Sequence, residues 1–135
     1  MKHVFIYSWN SAMNGSTDAQ GICLTGWHIP TDTELQTLID YLGGDVVAGG
    51  KMKETGTVHW NSPNTGADNS SGFSALPAGY YDPYSNLGLA GYFWSSTSAD
   101  GSTAYSRNLF YYDRQDVVRG SSFKGDAVSV RCIKD

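Results

Sequence analysis

The chain has 135 residues and a formal net charge of −4, with 9 basic and 13 acidic side chains. It has no basic cluster and no run of like charge, which argues against nucleic acid as a partner, and no apolar stretch long enough to span a membrane. Aromatic residues reach 13%, charged residues only 16%, and 16 glycines accompany 4 prolines. This composition suits many short strands and long structured loops in one domain over residues 1–135.

In chain order, Val4 to Tyr7 reads as a short strand, too short for a signal-peptide core, so the chain as written carries no export address and a cytoplasmic location stays open. Ser8 to Met13 reads as a helical turn or short helix, and Asn14 to Asp18 as a loop by its turn chemistry. The clearest helix covers residues 31–42. Thr31 and Glu34 have capping-box spacing, Leu35, Leu38, Ile39 and Leu42 recur on one face, and Gly43-Gly44 stops the run. Beyond Val46 the helical pattern fades, Gly49-Gly50 breaks any second short helix, and Lys51 to Lys53 reads as a brief strand or turn. Residues 60–72 are loop-forming, with Trp60 and Phe73 at the ends to pin an ordered loop to the core. Further strands are expected at Phe73 to Gly79, Tyr92 to Thr97, Ala104 to Tyr111 or Tyr112, Asp116 to Arg119, and Ala127 to Ile133. In the last of these, Val128, Val130 and Cys132 share a face.

Several blocks together are specific. They include Tyr7-Ser8-Trp9, Gly21-Ile22-Cys23 with Gly26-Trp27-His28-Ile29-Pro30, Gly49-Gly50-Lys51-Met52-Lys53-Glu54, and Trp60-Asn61-Ser62-Pro63-Asn64-Thr65-Gly66. Gly72-Phe73-Ser74-Ala75-Leu76-Pro77-Ala78-Gly79, Phe93-Trp94-Ser95-Ser96-Thr97 and Ser129-Val130-Arg131-Cys132 continue the series. In these blocks the chain resembles the Fibrobacter succinogenes major paralogous domain, a bacterial extracellular module. The resemblance implies an α+β, C-type-lectin-like fold related to formylglycine-generating enzymes and retroelement variable proteins. Such a fold has small twisted antiparallel sheets, paired first and last strands, one flanking helix and a loop-rich ligand-bearing half. It also implies an extracellular or cell-surface location. Three departures stand out: the family's usual stretch before Tyr7 is missing, Leu24 and Leu35 stand where proline and tryptophan are common, and Ala127-Val128 replaces a usual Gly-Phe.

Cys23 and Cys132 are the only cysteines. A structural disulfide joining the two ends of the domain is favoured over a redox or catalytic pair; in a reducing compartment they would remain buried thiols. His3, His28 and His59 have no partner at zinc-ligand spacing. Asn61, Asn64, Asp68 and Asn69 offer oxygen ligands for calcium. The Glu-Pro-Asn and Gln-Pro-Asp sugar motifs of C-type lectins are absent, however, and Ser62 stands where an acidic ligand would be needed. Turn formation by these side chains is the competing reading, and no cofactor is expected. No catalytic constellation is legible.

The favoured binding surface lies towards the C-terminus. Tyr105, Arg107, Leu109 and Tyr111 fall on one strand face, and Ser106, Asn108, Phe110 and Tyr112 on the other. This second set, with Arg114, Val118, Gly120, Ser121, Ser122, Gly125 and Asp126, falls where members of the family differ, and in the related variable proteins that surface faces the ligand. Rigid aromatics beside small polar groups suit recognition; mutual covering by strand neighbours is the alternative. A second aromatic group, Tyr80, Tyr81, Tyr84 and Tyr92, is either a sugar platform or loop packing. The resulting expectation is a non-catalytic module that binds a glycan or a protein. The alternatives are a structural module of larger surface proteins or, less favoured, a formylglycine-generating-type enzyme, which would need a second C-terminal cysteine.

Overall fold

The computed structural model describes residues 5–16, 18–81, 85–112 and 114–135. Val4, His3 and Tyr84, about which the sequence raised expectations, lie outside them. Strand β1 (Ile6–Ser8) leads directly into α1 (Trp9–Met13), whose N-cap is Ser8. After β2 (Trp27–His28) comes α2 (Asp32–Tyr41), where the capping box forms as expected: the Thr31 hydroxyl accepts from the Glu34 amide and the Glu34 carboxylate accepts from the Thr31 amide. Leu35 and Ile39 bury one face of this helix.

A second helix, α3 (Asp45–Met52), runs straight through Gly49-Gly50 and corrects the expectation that these glycines break it. Glycine lowers helix propensity, but here packing decides. A Cβ on Gly49 would lie 2.3 Å from the Asp116 carbonyl oxygen, and one on Gly50 would lie 2.3 Å from that of Gly66. The helix is therefore bare where two loops press against it. Its C-terminal turn also absorbs Lys51 and Met52, and Lys53 just beyond makes a single bridge to Ala75.

The remaining strands are β3 (Ala90–Ser98), β4 (Thr103–Phe110), β5 (Val118–Phe123), β6 (Ala127–Ser129) and β7 (Ile133–Lys134). Five of the seven form one sheet in the order β1-β6-β3-β4-β5, while β2 and β7 form a separate ribbon. The large sheet is mixed and not purely antiparallel, because β6 runs parallel to β3. Three further expectations change. Residues 73–79 make only isolated bridges, since Ser74 takes a positive φ of 55° and Pro77 has no N–H for a ladder. The fifth strand starts later and runs further than Asp116 to Arg119. Residues 127–133 split in two, β6 pairing with β1 and β7 with β2.

Apolar clusters lie on both sides of the sheet. Ile39, Met52, Trp60, Phe93 and Leu109 gather with α2 and α3, whereas Ala12, Ile29, Trp94, Ala104 and Val128 gather with α1. Cys23 and Cys132 are joined by a disulfide with Cα atoms 5.9 Å apart, which ties the loop before β2 to the segment entering β7. Trp60 is buried and donates its indole N–H to the Ala75 carbonyl at 2.9 Å, so the 60–72 loop is anchored as expected.

Candidate functional site

Residues directly opposite one another in paired strands share a face. Tyr92 and Trp94 of β3 oppose Asn108 and Ser106 of β4, which in turn oppose Val118 and Gly120 of β5; Ala104 opposes Ser122. Ser106, Asn108, Phe110, Val118 and Ser122 therefore do gather on one side of the sheet, as the alternation predicts.

Exposure divides this set. Ser106 is fully buried, which corrects its placement as a contact residue. It lies next to Trp94 and Ala104, at the end of the face covered by α1. Its hydroxyl donates to Asn108 Oδ1 at 3.1 Å and lies 3.4 Å from the Ser122 hydroxyl, so it orients the two half-exposed residues beside it. Gly120 completes the arrangement: a Cβ there would meet Asn108 Nδ2 at 2.9 Å.

An aromatic ridge crosses the open end. Tyr80 and Tyr92 meet edge-to-face at 5.5 Å, and Tyr92 and Phe110 at 6.3 Å. Asn86 Nδ2 donates to the Tyr92 hydroxyl at 2.9 Å. The Arg114 guanidinium sits over the Phe110 ring at 5.2 Å and donates to both Asp116 carboxylate oxygens at 2.9 and 2.8 Å. Arg114 thereby holds Asp116 below the usual carboxylate range. Two grooves adjoin the ridge. One, of about 410 Å³, includes Tyr80, Tyr92, Ser122, Asp126 and Val128 in its lining. The other, of about 300 Å³, includes Asn86, Phe110, Tyr112 and Arg114. Tyr111 and Tyr112 lie past the end of β4, and Tyr112 is 61% exposed.

Lys53, which the sequence reading did not assign to this region, is 1% exposed and reaches it from below. Its ammonium donates to the carbonyls of Thr65 at 2.7 Å, Phe110 at 2.8 Å and Arg114 at 3.3 Å. Burial pushes its pKa down to about 8, with Asp116 opposing the shift. The lysine fastens the carbonyls of Phe110 and Arg114 to that of Thr65 in the 60–72 loop. The sequence signal is slight, the second of two cations in Lys51-Met52-Lys53.

The side chains of three of the four calcium candidates make hydrogen bonds. Asn64 is buried and donates to the carbonyls of Glu54 and Gly56 at 2.9 and 2.8 Å. Asp68 accepts from the Ser70 amide at 2.9 Å, and Asn69 exchanges two 2.8 Å bonds with Ser74. Asn61 is exposed, and its backbone N–H donates to Gly88. Among the described residues no group of three or more His, Cys, Asp or Glu is placed to hold a metal ion. His59 pairs with Glu54 at 2.6 Å. His28 lies between Asp135 at 2.6 Å and Glu34 at 3.0 Å. Among the described residues no helix is long and apolar enough to cross a membrane.

These features define a small α+β domain in which a disulfide-closed mixed sheet, two helices at its side, presents one partly open aromatic face. The chain belongs to the Fibrobacter succinogenes major domain family, whose family model matches residues 1–134. No curated protein and no solved structure matches the chain.

Proposed function

We propose that this domain is a non-catalytic module of C-type-lectin-like fold that recognises a glycan through the β3–β5 face. The observation that carries the reading is the Tyr80–Tyr92–Phe110 ridge with hydroxyl and amide groups set beside it. Sugar rings offer C–H faces that pack on aromatic rings, and their hydroxyls need the donors and acceptors that Asn86, Asn108 and Ser122 carry. The pairing of β1 with β6, the first and last strands of the large sheet in chain order, supports the lectin-like arrangement, although β7 follows and pairs with β2. The disulfide suits an oxidising, extracellular setting. Both cysteines are spent in that bond, so the formylglycine-generating alternative gains no support.

A protein ligand is the second reading, favoured by the exposed Tyr112 and by Arg114 at the rim. A glycan array probed with the tagged domain separates the two. Saturable binding to a glycan, weakened at least about tenfold in Phe110→Ala and Tyr112→Ala, is expected. Binding to no glycan removes the saccharide reading, and a purely structural module predicts no saturable ligand of either kind. Binding is expected to survive a chelator, because Asp68 and Asn69 already use side-chain oxygens to accept from the Ser70 and Ser74 amides.

A further inference from the structure

The chain has four arginines, and three of them meet carboxylates: Arg107 and Arg119 meet Asp32, and Arg114 meets Asp116. Arg131 differs. It is exposed, and among the described residues it makes no ion pair or hydrogen bond, although the chain is acidic overall. Its guanidinium instead sits over the Phe73 ring at 4.8 Å. Phe73 packs edge-to-face on the buried Phe93 at 5.3 Å, which anchors the support in the core.

The turn beneath this arginine is held under strain. Ser74 occupies the left-handed region at φ 55°, uncommon for a residue with a Cβ. Asn69 fixes it there from two sides, accepting from the Ser74 amide and donating to its hydroxyl, each at 2.8 Å. Backbone strain of this kind persists only where the surroundings over-determine it, and it often marks a binding site.

Arg131 and Ser74 border a groove of about 350 Å³, whose lining also includes Tyr7, Ile22, Leu76 and Phe93. It shares no lining residue with either groove of the β3–β5 face. Ser129, in the same lining, is 4% exposed, and its hydroxyl has no partner among the described residues. One unpaired planar cation beside an apolar trough is chemistry for a particular kind of molecule. A guanidinium lying over a ring keeps its in-plane N–H donors free, and two parallel donors match the two oxygens of a carboxylate. The trough then takes the apolar remainder of the ligand.

We propose that this groove is a second binding site, one that takes a small carboxylic acid with an apolar body, its carboxylate paired with Arg131. The site is separate from the glycan face, so either proposal can fail alone. The test titrates the isotope-labelled domain with 3-phenylpropionate, and in parallel with 3-phenylpropanamide, following backbone and Arg131 side-chain NMR signals. Saturable shifts centred on Leu76, Val130 and Arg131 are expected for the acid, with at least about tenfold weaker binding of the amide. Arg131→Gln should lose a similar factor with at most a small fall in melting temperature, since the residue is exposed and its side-chain contact is the Phe73 ring. Arg131→Lys should fall between the two, retaining charge without the fork. Equal binding of acid and amide, unchanged binding by Arg131→Gln, or shifts confined to β3–β5 would each overturn the proposal, as would no saturable shift at all.

Discussion

Two side chains show how charge is used as a fastener in this fold. His28 has a carboxylate at each ring nitrogen, and only the imidazolium has two N–H donors to satisfy both. Its pKa is accordingly raised, chiefly by the bond to Asp135, with burial opposing and Glu34 adding. A raised folded pKa gives stability that is complete below the unfolded value near 6.5 and is lost as pH climbs through the folded pKa. His28→Gln should therefore cost about 1 kcal/mol at pH 5.5 and markedly less at pH 8.5, as read by urea unfolding. Asp32 shows the opposite sign. Arg119 first, then Arg107, lower its pKa, so its contribution holds above the unfolded value near 4 and disappears as pH falls through the folded one. Arg107 is 1% exposed and Arg119 is half-exposed. Asp32→Asn strands a buried guanidinium and should cost about 3–5 kcal/mol at pH 7, flattening the acid limb of the stability profile. Arg119→Ala should cost much less, because solvent screens that half-exposed pair. Equal costs for the two variants would show that burial of Arg107 does not set the energetics.

At the scale of elements, α3 reverses the usual rule for helical glycine. Alanine in place of an exposed helix glycine gains roughly 1 kcal/mol. At Gly49 the added methyl would meet the Asp116 carbonyl at 2.3 Å and that of Gln115 at 2.7 Å, both backbone atoms that cannot swing aside. Gly49→Ala should destabilise by about 1–3 kcal/mol in chemical denaturation, and Val46→Ala on the exposed side of the same helix should stay within about 0.5 kcal/mol. A stabilising Gly49→Ala would contradict the packing argument. The contrast between α2 and α3 explains what the sequence could reveal. The capping box and leucine spacing of α2 are local, so they can be read from a dozen residues. The glycines of α3 answer to Gln115, Asp116 and Gly66, far along the chain, and local reading takes them for a stop signal. The same holds at the candidate face. Alternation along β4 correctly grouped Asn108 with Phe110, but it does not show that Ser106, opposite Trp94 and Gly120, is fully buried, and the role of Lys53 depends on carbonyls from two separate loops.

At the scale of the whole molecule, neighbours in space come from opposite ends of the chain. β1 pairs with β6, β2 with β7, and the Cys23–Cys132 bond spans 109 positions between those two pairings. Each ribbon is short: β2 and β7 have two residues apiece and β1 and β6 three, too few to hold the ends together by backbone bonding alone. The covalent tie supplies what they lack by removing loop-closure entropy from the unfolded chain. A loop of this length corresponds to roughly 4–5 kcal/mol on that model. The disulfide packs in the cluster around α1, which β3 and β4 enter through Trp94 and Ala104, and ties it to the β2–β7 ribbon, whereas α2, α3, Phe93 and Leu109 pack in the other cluster. Cys23→Ser/Cys132→Ser should therefore lower global stability by about 2–5 kcal/mol and first raise amide exchange at Trp27, Ile133 and Lys134. Protection at Phe93, Leu109 and Arg107 should fall only with global unfolding. Uniform loss of protection across both sets at conditions favouring the fold would mean that the tie organises the whole sheet and not merely its closing edge.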